Sequence, residues 1–220
     1  MIPLRDIIPS RTVPFVTVTI ILLNAAAWIF EISLSQRELE QFVRLYGVVP
    51  AAFSPVTLVT SMFLHGGWLH IIGNMWWLWI FGDNVEDTFG HGRFIIFYFL
   101  CGITAALGQI VMDPTSMTPT IGASGAIAGV MGAYFVLYPR SRVLTLVPIF
   151  FFINVYEVPA IFLLGFWFLL QLVNAGAVAT TAGTTGGGGV AFAAHVAGFV
   201  VGVLGVFVFR KQRRYSPWEP

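Results

Sequence analysis

The sequence predicts an all-α, polytopic membrane protein with six transmembrane helices, and three observations lead there. Of 220 residues 57% are hydrophobic and 10% charged, with a mean hydropathy of +0.85, which lies outside the range of a soluble domain of this size. The apolar residues gather in runs close to the length that spans a bilayer. The eleven Lys and Arg sit at the ends of those runs and report topology, so a net charge of +1 gives no reason to expect nucleic acid. The single cysteine, Cys101, lies inside an apolar run, which excludes an intramolecular disulfide and a cysteine metal cluster.

Residues 1–14 read as a short polar cytoplasmic tail with Arg5, Arg11 and three prolines. The first span runs from Phe15 to Ile32. Its Ala25-Ala26-Ala27 imitates a signal-peptide cleavage site, but Trp28-Ile29-Phe30 carries the apolar stretch onward to a spanning length. Residues 33–68 mix Arg37, Glu38, Glu40 and Arg44 with aromatics, Pro50 and Pro55, the composition of a loop at the interface. The second span, Trp68 to Phe81, ends at Gly82-Asp83. Further spans follow over Phe94–Met112, Ala123–Tyr138, Val158–Asn174 and Val190–Phe209, and 210–220 is a basic cytoplasmic tail. Val143–Tyr156 is uncharged, short and interrupted by Pro148, and reads as interfacial. The six-helix domain thus covers 15–209.

Six spans put both termini on one side. Arg5, Arg11, Arg93, Arg140, Arg142, Arg210, Lys211, Arg213 and Arg214 share that side, against Arg37 and Arg44 on the other, so both termini are cytoplasmic. The second, fourth and sixth spans then all begin at the outer face. Their beginnings carry His65, His70 and Asn74, then Ser124, then His195. At 1.5 Å per residue, His195 lies about 8 Å along its span, and the fourth run is too short for a ~30 Å core, so the polar groups meet below the outer surface. Polar residues at such depth are functional candidates.

Each also has a plainer reading. Ser124, in Gly122-Ala123-Ser124-Gly125, stands on the first turn of a helix whose free N–H groups could stabilise an oxyanion, yet small residues around a serine also suit close packing of membrane helices. His195 could be a hydrogen-bonded core histidine, but Ala191, Ala194, Gly198 and Gly202 give it a face against which another helix can lie. Together the two form a candidate nucleophile and base. His70 and Asn74, four residues apart, point from one helix face. Zinc on His70 and His195 is the competing reading, opposed by the absence of HExxH and by the expectation that no carboxylate lies at an outer end beside these histidines. Asp113 is the only acid in the loop before Ser124, so a Ser–His dyad without an orienting carboxylate is expected.

From Phe15 to Phe209 the chain resembles the rhomboid intramembrane serine proteases. The likeness rests on His65-x4-His70-x3-Asn74, Gly82-x3-Glu86-x3-Gly90, Gly122-Ala123-Ser124-Gly125 and Ala194-His195-x2-Gly198-x3-Gly202 in that order. It implies a rhomboid-like bundle in which Ser124 attacks the scissile carbonyl and His195 accepts its proton and passes it to the leaving amine. His70, Asn74 and the Ser124 N–H would bind the oxyanion. His65, Glu86, Gly198 and Gly202 would be structural supports. Implied with it are membrane-protein substrates cleaved in their transmembrane segments near the outer face, the lipid bilayer as surroundings, no metal or other cofactor, and a prokaryotic plasma (inner) membrane.

Two departures stand out. Pro55-Val56 occupy the place where many members carry Trp-Arg, and Ala128 stands where many carry an aromatic that packs on the base histidine, so His195 is expected to be held less firmly. The fifth span is bulky, with Phe162, Phe166, Trp167 and Phe168, and precedes the glycine-rich stretch 180–189, which together could gate or cap the site. The alternatives are a rhomboid-like binding or chaperone protein without protease activity and a small transporter, the latter opposed by the lack of an internal repeat.

Overall fold

A computed structural model describes residues 1–149, 152–181 and 191–211. Helices dominate: α1 (Phe15–Ser33), α2 (Gln36–Tyr46), a short α3 (Thr57–Thr60), α4 (Trp68–Phe89), α5 (His91–Met112), α6 (Ser124–Leu137), α7 (Ala160–Thr181) and α8 (Phe192–Phe209). Phe15–Ser33, His91–Met112, Ala160–Ala177 and Phe192–Phe209 are long and apolar enough to cross a membrane, and α6 is a shorter apolar helix. The protein is a multi-pass integral membrane protein. Within 33–68 the polar α2 is started by a capping box, in which Ser35 and Glu38 satisfy each other's backbone N–H groups.

Helix α4 runs eight positions past the predicted end at Phe81, because the acids there find partners. Asp87 accepts from the N–H groups of Arg11 (2.5 Å) and Thr12 (3.0 Å), and Asp83 accepts from the Ser10 hydroxyl. Gly90, at φ +77°, then turns the chain into α5.

The all-α expectation needs correction. Ile2–Asp6, read as part of a tail, is a strand (β1), and Arg142–Ile149 (β2) and Phe152–Pro159 (β3) form a hairpin where an interfacial segment was expected. The order is β1-β2-β3, antiparallel throughout, with a register shift between Pro3 and Arg5. β-Branched residues such as Val143, Thr145, Val147, Val155 and Val158 suit the pleat. Strand β1 also lies along α4: the Trp76 indole N–H donates to the Pro3 carbonyl (2.6 Å), and the Asn84 amide donates to the Asp6 carboxylate (2.9 Å).

The core centres on α6, in which every residue from Gly125 to Tyr134 is buried. A helix apolar all round belongs in the middle of a bundle, and α4, α5, α7 and α8 surround it. Glycines let the backbones meet. A Cβ on Gly198 would overlap the Gly125 carbonyl oxygen, one on Gly202 that of Gly129, and one on Gly132 that of Phe199. The α6–α8 contact is therefore backbone to backbone.

Candidate active site

Ser124 is the first residue of α6, and three backbone attachments hold it there. The preceding loop is pinned to the 47–64 segment by a two-way backbone bond between Val48 and Thr120 (3.0 and 2.8 Å), by Ala51 N–H to Ser116 O (3.0 Å) and by Gly122 N–H to Ser61 O (2.8 Å). Ala123, just before the serine, is fully buried. The first bond of the helix runs from the Ile127 N–H to the Ala123 carbonyl, so the N–H groups of Ser124, Gly125 and Ala126 lie outside the ladder at the positive end of the helix. The Ser124 hydroxyl does not cap its own helix.

That hydroxyl meets His195 instead. Oγ stands 2.8 Å from Nε2 of the imidazole, which projects from the first turn of α8 and is buried. The glycine contacts of α6 and α8 fix this pairing, since Gly125 follows Ser124 directly and Gly198 lies one turn after His195. On its other side, His195 Nδ1 is 2.8 Å from Oε1 of Gln171, and the Trp167 ring lies 5.7 Å away, centre to centre, at 36°. Both come from α7. The fifth run was read for its bulk and possible gating, and Gln171 was missed. Its signal was available: an amide between Leu170 and Leu172 inside an apolar span is a polar group at depth.

His70 and Asn74 converge on the same place from α4. The Gly66 N–H donates to His70 Nδ1 (3.2 Å), which leaves the proton of the neutral ring on Nε2 as a free donor. Asn74 Nδ2 is buried without a hydrogen-bond partner among the described residues. Gly122 shows where both point. It has φ +119°, and a Cβ there would stand 2.6 Å from His70 Nε2 and 3.6 Å from Asn74 Nδ2. Two donors thus face one small space beside the residues that lead into Ser124.

His65 sits behind His70, with ring centres 5.0 Å apart. A carboxylate, Glu31, stands at this end of the bundle behind His65. It ends the first apolar run, is fully buried, and accepts from the His65 N–H at 3.2 and 3.3 Å. Antiparallel helices bring the end of α1 level with the start of α4, which a count along the sequence overlooked. Glu86 lies at the other end of the bundle. Its carboxylate is fully buried and accepts from the N–H groups of Val16 and Thr17 (2.8 Å each) and the Thr17 hydroxyl (2.7 Å), with His91 Nδ1 at 2.5 Å, so it closes the N-terminus of α1. Ala128 is fully buried, and the ring beside His195 is that of Trp167. Residues 182–189 of the glycine-rich stretch read as a cap lie outside the described residues.

Comparison with known proteins identifies the family. The Rhomboid domain family matches residues 52–212. The rhomboid protease GluP of Bacillus subtilis is 42% identical over 76 residues, 34% of this chain and 14% of the relative. The mitochondrial Rhomboid protein 1 of Saccharomyces cerevisiae is 29% identical over 158 residues, 69% of this chain and 41% of the relative. The rhomboid protease GlpG of Haemophilus influenzae is 26% identical over 158 residues, 72% of this chain and 71% of the relative. The chain thus spans 14% and 41% of the length of the first two of these relatives, less than half of each. With the family domain covering most of its residues, the chain belongs to the rhomboid family.

Proposed function

We propose that the chain is an intramembrane serine endopeptidase whose Ser124–His195 dyad cleaves transmembrane segments of other membrane proteins near the outer face. Family membership and likeness to rhomboid proteases support an intramembrane protease function. The 2.8 Å bond between Ser124 Oγ and His195 Nε2 is the observation that carries the finer reading. In this reading six spans between residues 15 and 209 form the protease domain, α4 and α6 being the two that are shorter or more polar. Both chain ends face the cytoplasm of a prokaryotic plasma membrane, in keeping with the basic residues at that end.

The chemistry follows from the atoms present. Ser124 Oγ gives its proton to His195 Nε2 as it bonds to the scissile carbonyl carbon. Negative charge moves to the carbonyl oxygen, where the His70 Nε2–H, the Asn74 amide and the Ser124 N–H are available as donors. The imidazolium then hands its proton to the leaving nitrogen, the C–N bond breaks, and an acyl-serine remains. Water, deprotonated by His195, cleaves that ester to release a carboxylic acid product and regenerate Ser124.

Ser124→Ala and His195→Ala each abolish cleavage of a model transmembrane substrate while the protein stays folded, because each removes a reacting group and leaves the glycine contacts between α6 and α8 in place. Cleavage persisting in both variants at about a tenth of the wild-type rate or more sinks the assignment. A fluorophosphonate probe that labels wild-type protein at Ser124, and leaves His195→Ala unlabelled, separates a protease from a non-proteolytic binding protein and from a transporter.

A further inference from the structure

We infer that Gln171 is a positioning residue for the base, so that this chain works with a Ser124–His195–Gln171 triad whose third member is a neutral amide supplied by α7. The inference rests on the protease reading above. A neutral imidazole carries one proton. If Nε2 is to take the proton of Ser124 Oγ, 2.8 Å away, that proton must sit on Nδ1. Gln171 Oε1, 2.8 Å from Nδ1, is the acceptor that holds it there. Were the amide reversed, its NH2 would donate to Nδ1, the ring proton would move to Nε2, and the base would be lost. The chemistry and the observed contact therefore require the same face of the amide.

Trp167 lies one helical turn before Gln171, so the two side chains leave the same face of α7. The ring covers the imidazole and the amide fixes its rotation, which does from α7 what position 128 on α6, an alanine, cannot do. An amide also suits the surroundings. A carboxylate would bring a buried charge to the membrane interior, whereas the amide supplies an acceptor with no charge to desolvate. Gln171 is itself buried, at 8% exposure, so its contact with the ring is shielded from competing water. One consequence is that the dyad is assembled only while α7 stays against α8.

The test is steady-state cleavage of a model transmembrane substrate by wild-type protein, Gln171→Leu and Gln171→Glu, with Ser124→Ala as reference and thermal unfolding measured for each. Gln171→Leu keeps the bulk and removes the acceptor; kcat falls by about 10- to 100-fold with KM within about twofold, and probe labelling of Ser124 slows in parallel. Gln171→Glu keeps an acceptor on Nδ1 whether or not it is charged, and restores kcat to within about threefold of wild type. Wild-type turnover by Gln171→Leu overturns the assignment. So does equal loss of activity and thermal stability in both variants, which marks a purely structural amide. If either occurs while Ser124→Ala is inactive, the protease reading stands without the third member. Cleavage surviving in Ser124→Ala removes the protease reading and this inference with it.

Discussion

Gly202 of α8 faces Gly129 of α6 with no room for a side chain between them: a Cβ on Gly202 would overlap the Gly129 carbonyl oxygen and stand 2.6 Å from its carbonyl carbon and Cα. The obstacle is helical backbone, which cannot turn aside as a flexible side chain can. The contact sets the separation of the two helices and hence of Ser124 and His195. Gly202→Ala therefore lowers stability by about 1–3 kcal/mol and lowers cleavage further by pushing α8 outward. Gly92→Ala, whose Cβ would meet nothing within 4 Å, changes neither. Thermal unfolding in detergent and a cleavage assay on the same preparations check both statements, and a wild-type Gly202→Ala refutes the first.

The space between His70 and Asn74 yields a second expectation. Asn74→Ala lowers kcat by about 100-fold with little change in KM, as removal of one transition-state donor does. Gly122→Ala combines a strained φ of +119° with a methyl group 2.6 Å from His70 Nε2, so its loss of turnover equals or exceeds that of Asn74→Ala. An active Gly122→Ala enzyme would show that the developing oxyanion lies elsewhere.

Glu86 holds α1 to α4 through three hydrogen bonds at full burial. Glu86→Gln replaces an acceptor of two N–H groups by an amide that brings its own donors to the same spot, and costs about 2–3 kcal/mol; Thr17→Val, which loses the hydroxyl bond alone, costs about 1 kcal/mol. In both variants activity measured well below the unfolding temperature stays near wild type, because the site lies at the far end of the bundle. A selective loss of turnover at unchanged stability contradicts this.

Asp6 makes stability depend on pH. Burial raises its carboxyl from the ordinary 3.8 to about 6, opposed by the hydrogen bond from Tyr134 and reinforced by the charge of Asp83. Between those values the folded protein holds a proton that the unfolded chain has released. Its contribution is fully present below pH 3.8 and is lost as pH rises through about 6. Asp6→Asn keeps an acceptor for the Tyr134 hydroxyl, and its stability is flatter than wild type between about pH 4 and 7. Denaturant or thermal midpoints across that range decide it.

Ser124, His195, His70 and Asn74 were legible because each stands in a short stretch whose small neighbours or four-residue spacing carry meaning without tertiary knowledge. The contact of Gln171 and Trp167 with His195 was not, although an amide at depth marked Gln171 as a candidate. Which face of α7 meets α8 depends on how that helix is rotated about its axis, and a run apolar on all sides does not encode it. The contact between Glu31 and His65 was hidden for a related reason, since it is set by helix ends meeting in space and not by sequence distance. The hairpin 142–159 carries β-branched residues that could have marked strands, but the membrane-like composition masked them. Nothing local to Ile2–Asp6 names a partner more than 130 residues away.

That distance bears on how the protein is made. Ile2 pairs with Leu146 and Asp6 with Val143, while α1, α4, α5 and α6 all lie between them in sequence. A ribosome therefore delivers β1 first and its mate only after those helices have been synthesised. The pairing is long-range and correspondingly late. It also depends on orientation: if α6 entered the bilayer the wrong way round, β2 would emerge on the opposite side from β1 and the sheet could not close. Closure of the small sheet, which ties Ile2–Asp6 to α4 and to β2, thus requires the helices between them to be threaded in one direction.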